Sequence, residues 1–373
     1  MSLGRRGRLG HPENEVTHMK AAVLKALGAP LAVETVADPV LGTGEVIVDV
    51  VAAGMLAYAR DVFSGKRQYV LELPIVPGSG GIGRVRAIGP DATRLAVGDW
   101  VFIDPTVRGR DDAVAPDIIL QGLTAGSQAA LRLQRYYHDG AFAEQIRVPT
   151  ENAVPIGALE PGEAGRWLAL GRLLVPYGGL LAGRMLAGET LLVNGATGAF
   201  GSAGVMMGIA MGAGRIVATG RNPQVLADLE RRLGDRVRTV KMSGDEEEDL
   251  RQMQHAGGGA IDIVLDLLPP EASPSWARAA ALAVRPYGRV VLMGGIREDV
   301  ALPYAWMMRY GIEVRGQWMY PRDAVGRLVR MVHSGQIRLD GFAVTEFPLE
   351  RVNEAVAHAA ANAGPFKMTV VRP

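Results

Sequence analysis

The sequence predicts an α/β protein of two domains, a β-rich first domain and a second domain built on a doubly wound parallel sheet. Three observations support this prediction. Short apolar runs separated by Gly and Pro fill residues 20–155, and strand and helix patterns alternate over residues 158–317. A glycine-rich turn also follows the apolar run that ends at residue 194.

In the first domain, the apolar runs have the length and the flanking turn residues that are typical of strands. Gly42-Thr43-Gly44 and Val97-Gly98-Asp99 are examples of such turns. We predict strands over residues 21–24, 45–51, 83–88, 100–103 and 142–148.

In the second domain, short β-branched runs alternate with longer amphipathic segments, which implies a parallel sheet with helical crossovers. We predict strands over residues 191–194, 216–219, 237–241, 261–265, 289–293 and 313–315, with a closing strand over 367–371. We predict helices over residues 202–211, 223–233, 246–254, 275–283, 322–334 and 350–361.

The composition is that of a globular chain with a large core, because 48% of the 373 residues are hydrophobic and 21% are charged. The formal net charge is +1 and Lys and Arg are not clustered among aromatic residues, so we expect no nucleic-acid partner. No apolar run reaches the roughly 20 residues that cross a bilayer, so we expect no membrane partner. The chain contains no cysteine, which excludes thiol nucleophiles and thiolate zinc sites.

Residues 1–18 are polar and basic and lack the apolar core of a secretory signal. We expect them to be a disordered extension or a remnant of expression. Without an export signal, the default expectation is a cytoplasmic protein that acts on a small-molecule substrate.

The glycine-rich turn has the sequence Gly195-Ala196-Thr197-Gly198-Ala199-Phe200-Gly201 and lies between a predicted strand and a predicted helix. Its glycines permit a tight turn, so that amides at the helix start can face a pyrophosphate. The strand–helix–strand context favours a dinucleotide site over a turn that serves only packing. We predict that the cofactor contacts Asn194, Gly195, Thr197, Gly198, Ala199, Phe200, Gly201, Thr219, Gly220, Arg221, Asn222, Met293, Gly294 and Gly295.

Arg221 stands where an NAD-binding unit usually carries an acid for the ribose 2′-hydroxyl. A carboxylate there would repel a 2′-phosphate, whereas a guanidinium can hydrogen-bond to it in a fork. The residue therefore predicts NADPH as cofactor. The alternative is an ordinary surface arginine before a helix that Asn222 caps and Pro223 begins.

A series of short sequences occurs in a recognisable order along the chain. The series includes Met19-Lys20-Ala21-Ala22, Leu73-Pro74-Ile75-Val76-Pro77-Gly78, Gly98-Asp99-Trp100-Val101, Gly140-Ala141-Phe142-Ala143-Glu144 and Phe366-Lys367-Met368. With the nucleotide turn, this series resembles the medium-chain dehydrogenase/reductase superfamily, in particular its zinc-free quinone oxidoreductase-like branch.

The resemblance implies a GroES-like substrate domain over residues 19–157 and a Rossmann domain over 158–335. Residues 336–373 would return to the first domain, and the active-site cleft would lie between the two domains. The resemblance also implies a homodimer joined through the edge of the Rossmann sheet.

The chain departs from the zinc-dependent relatives at both positions where their metal ligands are expected. Leu56 stands in place of a cysteine, and Gly78-Ser79-Gly80 stands in place of Gly-His-Glu. Leucine cannot bind zinc and a serine hydroxyl is a poor substitute for imidazole, so we expect no metal.

Tyr58 falls where the resemblance places a proton-relay Ser or Thr, so its phenol could donate a hydrogen bond or a proton to a carbonyl oxygen. The alternative is that Tyr58 only packs in the cleft wall. Leu56 and Asp61 stand where zinc-free quinone reductases usually carry Asn and Tyr, and Asp61 is a relay partner or a surface acid. Further cleft candidates, for each of which packing is an equal alternative, are Tyr177, Trp318 and Tyr320.

Together these features predict a metal-free, NADPH-dependent reductase of an enone, a quinone or a related small carbonyl compound. One alternative is metal-free reduction of an aldehyde or ketone, which would require a firm acid. The other is an NADPH-binding protein without catalytic activity.

Overall fold

A computed structural model describes residues 17–373, and within them it contains eighteen strands and eleven α-helices. The strands are β1 (His18–Val23), β2 (Ala32–Ala37), β3 (Glu45–Met55), β4 (Gly81–Ile88), β5 (Trp100–Ile103), β6 (Thr106–Arg108), β7 (Ile118–Leu120), β8 (Thr124–Ala125), β9 (Gln145–Pro149), β10 (Ala153–Pro155), β11 (Thr190–Asn194), β12 (Arg215–Gly220), β13 (Val237–Lys241), β14 (Ile261–Asp266), β15 (Val284–Leu292), β16 (Glu313–Gly316), β17 (Ala343–Pro348) and β18 (Lys367–Arg372). The helices are α1 (Ala59–Phe63), α2 (Leu131–Tyr136), α3 (Ala164–Trp167), α4 (Ala169–Ala182), α5 (Ala199–Ala210), α6 (Pro223–Leu233), α7 (Glu246–Gly257), α8 (Pro274–Leu282), α9 (Tyr304–Tyr310), α10 (Ala324–His333) and α11 (Val352–Ala361).

The second domain is a six-stranded sheet in the order β13-β12-β11-β14-β15-β16. All neighbouring strands in it are parallel. Leu191 and Val193 of β11 belong to the core on one face, and Leu192 belongs to the core on the other. Burial on both faces explains why this strand is a continuous apolar run. The predicted doubly wound α/β architecture is confirmed.

The first domain is built on a seven-stranded sheet in the order β10-β5-β4-β3-β18-β17, with β9 also paired to β3. The last strand of the chain, β18, lies antiparallel to β3, with Thr369 opposite Met55 and Val371 opposite Ala53. The C-terminal segment thus completes the sheet of the first domain. The exact domain boundaries stay predictions; β1 begins at His18, and residues 1–16 of the predicted extension lie outside the described part of the chain.

One long helix, α4, is absent from the sequence-based prediction. Its fourteen residues include Pro176, Gly171, Gly178 and Gly179, all of which have low helix propensity. Ten of the fourteen side chains are buried, and the helix packs against α5 and α10. Tertiary packing stabilises the helix here and outweighs the local preferences.

Three side chains join the carboxyl ends of neighbouring strands in the parallel sheet. Thr219 Oγ1 at the end of β12 donates a 2.7 Å hydrogen bond to Asn194 Oδ1, and Asn194 Nδ2 donates a 2.8 Å hydrogen bond to Asp266 Oδ1. All three residues are buried. Burial raises the pKa of Asp266 to about 6, although the hydrogen bonds from Asn194 and from the Leu268 amide oppose that rise.

The raised pKa predicts a specific pH dependence of stability for Asp266→Asn. Because ionisation is disfavoured in the folded state, the contribution of Asp266 is fully present below its unfolded pKa and is lost as the pH rises through about 6. Between pH 4 and pH 7, the free energy of unfolding of the variant should therefore gain up to about 3 kcal/mol relative to the wild type. Urea denaturation at both pH values measures this gain, with the exposed Asp235→Asn as control. An equal difference at both pH values would contradict it.

Candidate functional site

The predicted nucleotide turn connects β11 to α5 at the carboxyl edge of the parallel sheet. Gly195 has a φ of +84°, in the left-handed region that favours glycine. A Cβ atom on Gly201 would lie 2.0 Å from the Gly195 carbonyl oxygen, so this position requires glycine. Gly198 is the N-cap of α5 and no side chain caps the helix, which leaves the amides of its first turn available to an anionic group.

A shallow pocket lies next to this turn, lined by Thr197, Arg221, Asn222, Pro223 and Gln224. The Arg221 guanidinium lies 5.3 Å from the centroid of the Trp276 ring. Within residues 17–373 it forms no ion pair, so its charge is free to meet an anion. Asn222 Oδ1 accepts hydrogen bonds from the amides of Gln224 and Val225, which shows that this side chain caps α6.

The remaining predicted cofactor residues occupy two different environments. Met293, Gly294 and Gly295 follow β15, and their backbone is tied to the end of β14 by hydrogen bonds from the Met293 and Gly295 amides. Asn194 and Thr219 are buried and hydrogen-bonded to each other. Residues 293–295 thus follow the carboxyl end of β15, whereas Asn194 and Thr219 hold the ends of β11 and β12 together.

A cavity of about 90 Å³ lies between the two domains. Its wall is mostly apolar, and the polar or aromatic side chains that reach it are Tyr58, Ser79, Arg172, Phe200, Tyr320 and Thr369. Phe200, the second residue of α5, therefore belongs both to the nucleotide turn and to the cavity wall.

Tyr58 lies immediately before α1 and lines this cavity, as the sequence predicts for a cleft residue. Desolvation of its hydroxyl raises its pKa far above the ordinary value of a phenol. The Arg67 guanidinium stacks 4.1 Å from its ring centroid, and the ring of Tyr69 approaches edge-on at 6.3 Å. The phenol is thus neutral at physiological pH and has an O–H group to donate.

Arg172, on α4, is a cavity residue that the sequence analysis missed. It is only 9% exposed, and its Nη2 donates a 3.3 Å hydrogen bond to the Met55 carbonyl oxygen. Its guanidinium lies 5.2 Å from the centroid of the Phe200 ring. No carboxylate within residues 17–373 forms an ion pair with it, and desolvation lowers its pKa. The available signal was that Arg172 is the only charged residue between positions 167 and 183.

The other predicted cleft residues do not form one cluster in the cavity wall. Tyr320 lines the cavity, but its buried hydroxyl donates a 2.7 Å hydrogen bond to Asp104 Oδ1 and accepts one from Thr106. Tyr177, Asp61 and Trp318 lie outside the cavity wall. Tyr177 lies beside Arg327 of α10, the Asp61 carboxylate lies 4.0 Å from Lys66 Nζ, and the half-exposed Trp318 ring packs against Gly126.

Two residues that the resemblance places at the metal-ligand positions of zinc-dependent relatives lie in the cavity wall. They are Leu56 and Ser79, which supply neither a thiolate nor an imidazole. Over residues 17–373, no group of three His, Asp or Glu side chains is arranged to hold a metal ion. The donor set in this cavity does not fit zinc.

Across the same residues, none of the helices combines the length and the apolar character needed to cross a bilayer.

Comparison with known proteins gives one match over nearly the full length and one over about half of the chain. The sequence is 26% identical to an alcohol dehydrogenase from Geobacillus stearothermophilus over 340 residues, which cover 90% of this chain and 94% of that protein. It is 30% identical to an acryloyl-coenzyme A reductase from Metallosphaera sedula over 205 residues, which cover 52% of this chain and 57% of that protein.

Among solved structures, a putative alcohol dehydrogenase from Sinorhizobium meliloti superposes with a TM-score of 0.74 at 26% identity, covering 97% of this chain and 98% of that one. Two others share the fold at 19% identity. A short-chain alcohol dehydrogenase from E. coli in complex with NADH has a TM-score of 0.78 and covers 95% of this chain and 99% of that one. A putative zinc-binding dehydrogenase from Sinorhizobium meliloti bound to NADP has a TM-score of 0.76 and covers 96% of this chain and all of that one.

Two family models match successive parts of the chain. The alcohol dehydrogenase GroES-like domain matches residues 42–158, and the zinc-binding dehydrogenase domain matches residues 199–334. The first match spans β3 to β10 of the first domain, and the second begins at α5 and spans β12 to β16 of the parallel sheet. The chain therefore belongs to the medium-chain dehydrogenase/reductase superfamily of oxidoreductases.

Proposed function

We propose that the protein is a metal-free, NADPH-dependent reductase that transfers hydride to an enone, a quinone or a related small carbonyl compound. The observation that carries this proposal is the position of Phe200, which is shared by the nucleotide turn and the interdomain cavity. A dinucleotide held at the turn would therefore lie next to that cavity. The donor set in the cavity wall, with Leu56 and Ser79, supports a reaction that does not use zinc.

The cofactor would be held by the uncapped first turn of α5 and by the backbone of residues 293–295. Arg221 would bind the 2′-phosphate, for which its free guanidinium and its place beside the turn are the support. The bound nicotinamide supplies the hydride. Solved relatives bound to NADH and to NADP are known, so the preference for NADPH rests on Arg221.

The low acidity of Tyr58 supports the proposed substrate class. A phenol whose pKa is raised by burial is a poor proton donor but a good hydrogen-bond donor. A conjugated carbonyl needs little acid catalysis, because its oxygen takes up the charge when hydride adds to the β-carbon. Tyr58 would therefore orient the carbonyl, and the similarity to an acryloyl-coenzyme A reductase is in keeping with reduction of a conjugated carbonyl.

We also propose a homodimer formed through β16. This strand ends the parallel sheet, and all four of its residues are exposed. Large apolar side chains are exposed around it, among them Tyr304, Met308, Tyr310 and Val314. An unpaired strand edge beside an apolar patch is a ready partner for the same edge of a second copy.

The cofactor proposal predicts that NADPH binds at least tenfold more tightly than NADH, a gap of about 1.4 kcal/mol. Arg221→Ala should remove this gap because the 2′-phosphate loses its charged partner, while the exposed Arg231→Ala should leave it intact. Titrations followed by nicotinamide fluorescence measure both. Equal affinity in the wild type would contradict the preference for NADPH, and no binding of either would contradict the oxidoreductase function.

The substrate proposal predicts a modest effect of Tyr58→Phe on a panel of enones and quinones. Loss of one hydrogen bond to a neutral donor should lower kcat by about tenfold or less. Steady-state kinetics with the fastest substrate of the panel measures this, with Tyr69→Phe as control for the neighbouring ring. A loss of about a hundredfold or more would instead favour reduction of an aldehyde or ketone with Tyr58 as acid. Tight NADPH binding without turnover of any panel member would contradict catalysis.

The dimer proposal predicts that Met308→Glu combined with Val314→Glu gives monomers, because a symmetric interface would bring like charges together. Light scattering should change from near twice the chain mass of 39.6 kDa to that mass. Val114→Glu, at a residue that is 95% exposed far from β16 in sequence, is the control. A wild-type monomer, or an unchanged dimer in the double variant, would refute the proposed interface.

A further inference from the structure

Arg172 carries a buried charge for which the protein supplies no counter-charge. Its guanidinium has five N–H donors. Within residues 17–373, one hydrogen bond, to the Met55 carbonyl oxygen, uses these donors, and the guanidinium also lies 5.2 Å from the centroid of the Phe200 ring. A buried cation without a carboxylate partner is strongly disfavoured, because no counter-ion of the protein compensates for the hydration that it loses. Such a residue needs an explanation that packing does not provide.

The position of Arg172 suggests a ligand. One face of the helical segment formed by α3 and α4 lines the interdomain cavity. The residues on this face are Leu168, Gly171, Arg172 and Val175. A Cβ atom on Gly171 would meet no atom within 4 Å, so there is open space beside this turn of the helix, and Arg172 itself belongs to the cavity wall. The unpaired charge therefore faces the cavity in which the proposed substrate would bind.

The phenol of Tyr58 lines the same cavity and lies close enough to Arg172 to interact with its charge. The cavity wall also carries Leu56 and Ser79, which the resemblance places where zinc-dependent relatives hold their metal. The cavity thus contains a fixed cation and a neutral hydrogen-bond donor, without the residues that would bind a metal ion. A guanidinium and a phenol together can hold one oxygen atom through charge and a hydrogen bond.

We propose that Arg172, assisted by Tyr58, binds a substrate oxygen that carries or acquires negative charge. This inference rests on the proposed reductase function and names its oxygen-binding residue. When the β-carbon of an enone accepts a hydride, the electron pair of the C=C bond shifts toward the carbonyl and its oxygen gains the negative charge. A proton from water then adds to the α-carbon, giving the saturated carbonyl while NADPH becomes NADP⁺. The same site would hold the permanent charge of a substrate carboxylate.

Two measurements distinguish these sources of charge, using full-length protein saturated with NADP⁺ or NADPH. Calorimetry compares butyrate with its neutral analogue butyramide in the wild type, Arg172→Met and Arg172→Lys. Steady-state kinetics compares the same proteins with 2-cyclohexenone.

A preference for butyrate of tenfold or more that Arg172→Met abolishes supports a carboxylate substrate. A loss in kcat of about a hundredfold in Arg172→Met at unchanged KM, partly restored by Arg172→Lys, supports the developing charge.

If Arg172→Met keeps both the affinity for butyrate and kcat within twofold of the wild type, the inference is wrong. If no enone is turned over, the calorimetric comparison of butyrate with butyramide is the remaining test. In that case, a wild-type protein that binds both equally well overturns the inference. The titration of the wild-type protein with NADPH does not test the role of Arg172. It therefore detects a failure of the proposed cofactor binding separately from a failure of this inference.

Thermal stability tests whether the charge serves a ligand or the fold. Without ligand, Arg172→Met should raise the melting temperature by roughly 2–4 °C, because it removes an unpaired buried charge from a chain of this size. The matched control Arg166→Met replaces an exposed arginine of α3 and should leave it unchanged. A fall in the melting temperature of Arg172→Met would show that the guanidinium stabilises the fold, and would overturn the claim that its charge is held for a ligand.

Discussion

The antiparallel pairing of β18 with β3 is the constraint on which the candidate site depends. Its register places Thr369 opposite Met55, so the last strand of the chain runs beside the strand that ends at the cavity. Thr369 and Met55 both line the cavity, and the Met55 carbonyl oxygen accepts the hydrogen bond from Arg172. Residues from the two ends of the first domain and from α4 of the second therefore meet only when this pairing is in register.

The protein buries polar groups in two contrasting ways. Asn194, Thr219 and Asp266 form a hydrogen-bonded network that ties three strand ends together, so their burial is largely compensated. Arg172 has one hydrogen bond of 3.3 Å and no ion pair within the described residues. The first arrangement makes the nucleotide edge of the sheet rigid. The second leaves a guanidinium in the cavity wall with most of its hydrogen-bond donors unused. Functional sites commonly contain groups that the fold alone does not satisfy.

Local patterns allowed much of the fold to be predicted. The bounds predicted for β5, β13 and α6 agree with the structure, because turn residues and helix caps lie at their ends. Helix α4 could not be predicted, because its glycines and its proline disfavour a helix that only tertiary packing stabilises. Arg172 was missed for the same reason, since its direction toward the cavity depends on that helix. Tyr177 lies on the same helix, and the rotation of the helix directs it to α10 instead.

The shared position of Phe200 has a thermodynamic consequence. Phe200 belongs to the nucleotide turn, and its ring borders the cavity and the Arg172 guanidinium. A side chain that borders two ligand sites couples their binding when one ligand changes its position. Whatever coupling free energy one ligand exerts on the other through the ring must be returned in equal measure, because linkage between binding equilibria is reciprocal. In this architecture, the Phe200 ring is the side chain through which an effect of the cofactor on substrate affinity, and the equal effect of the substrate on cofactor affinity, would pass.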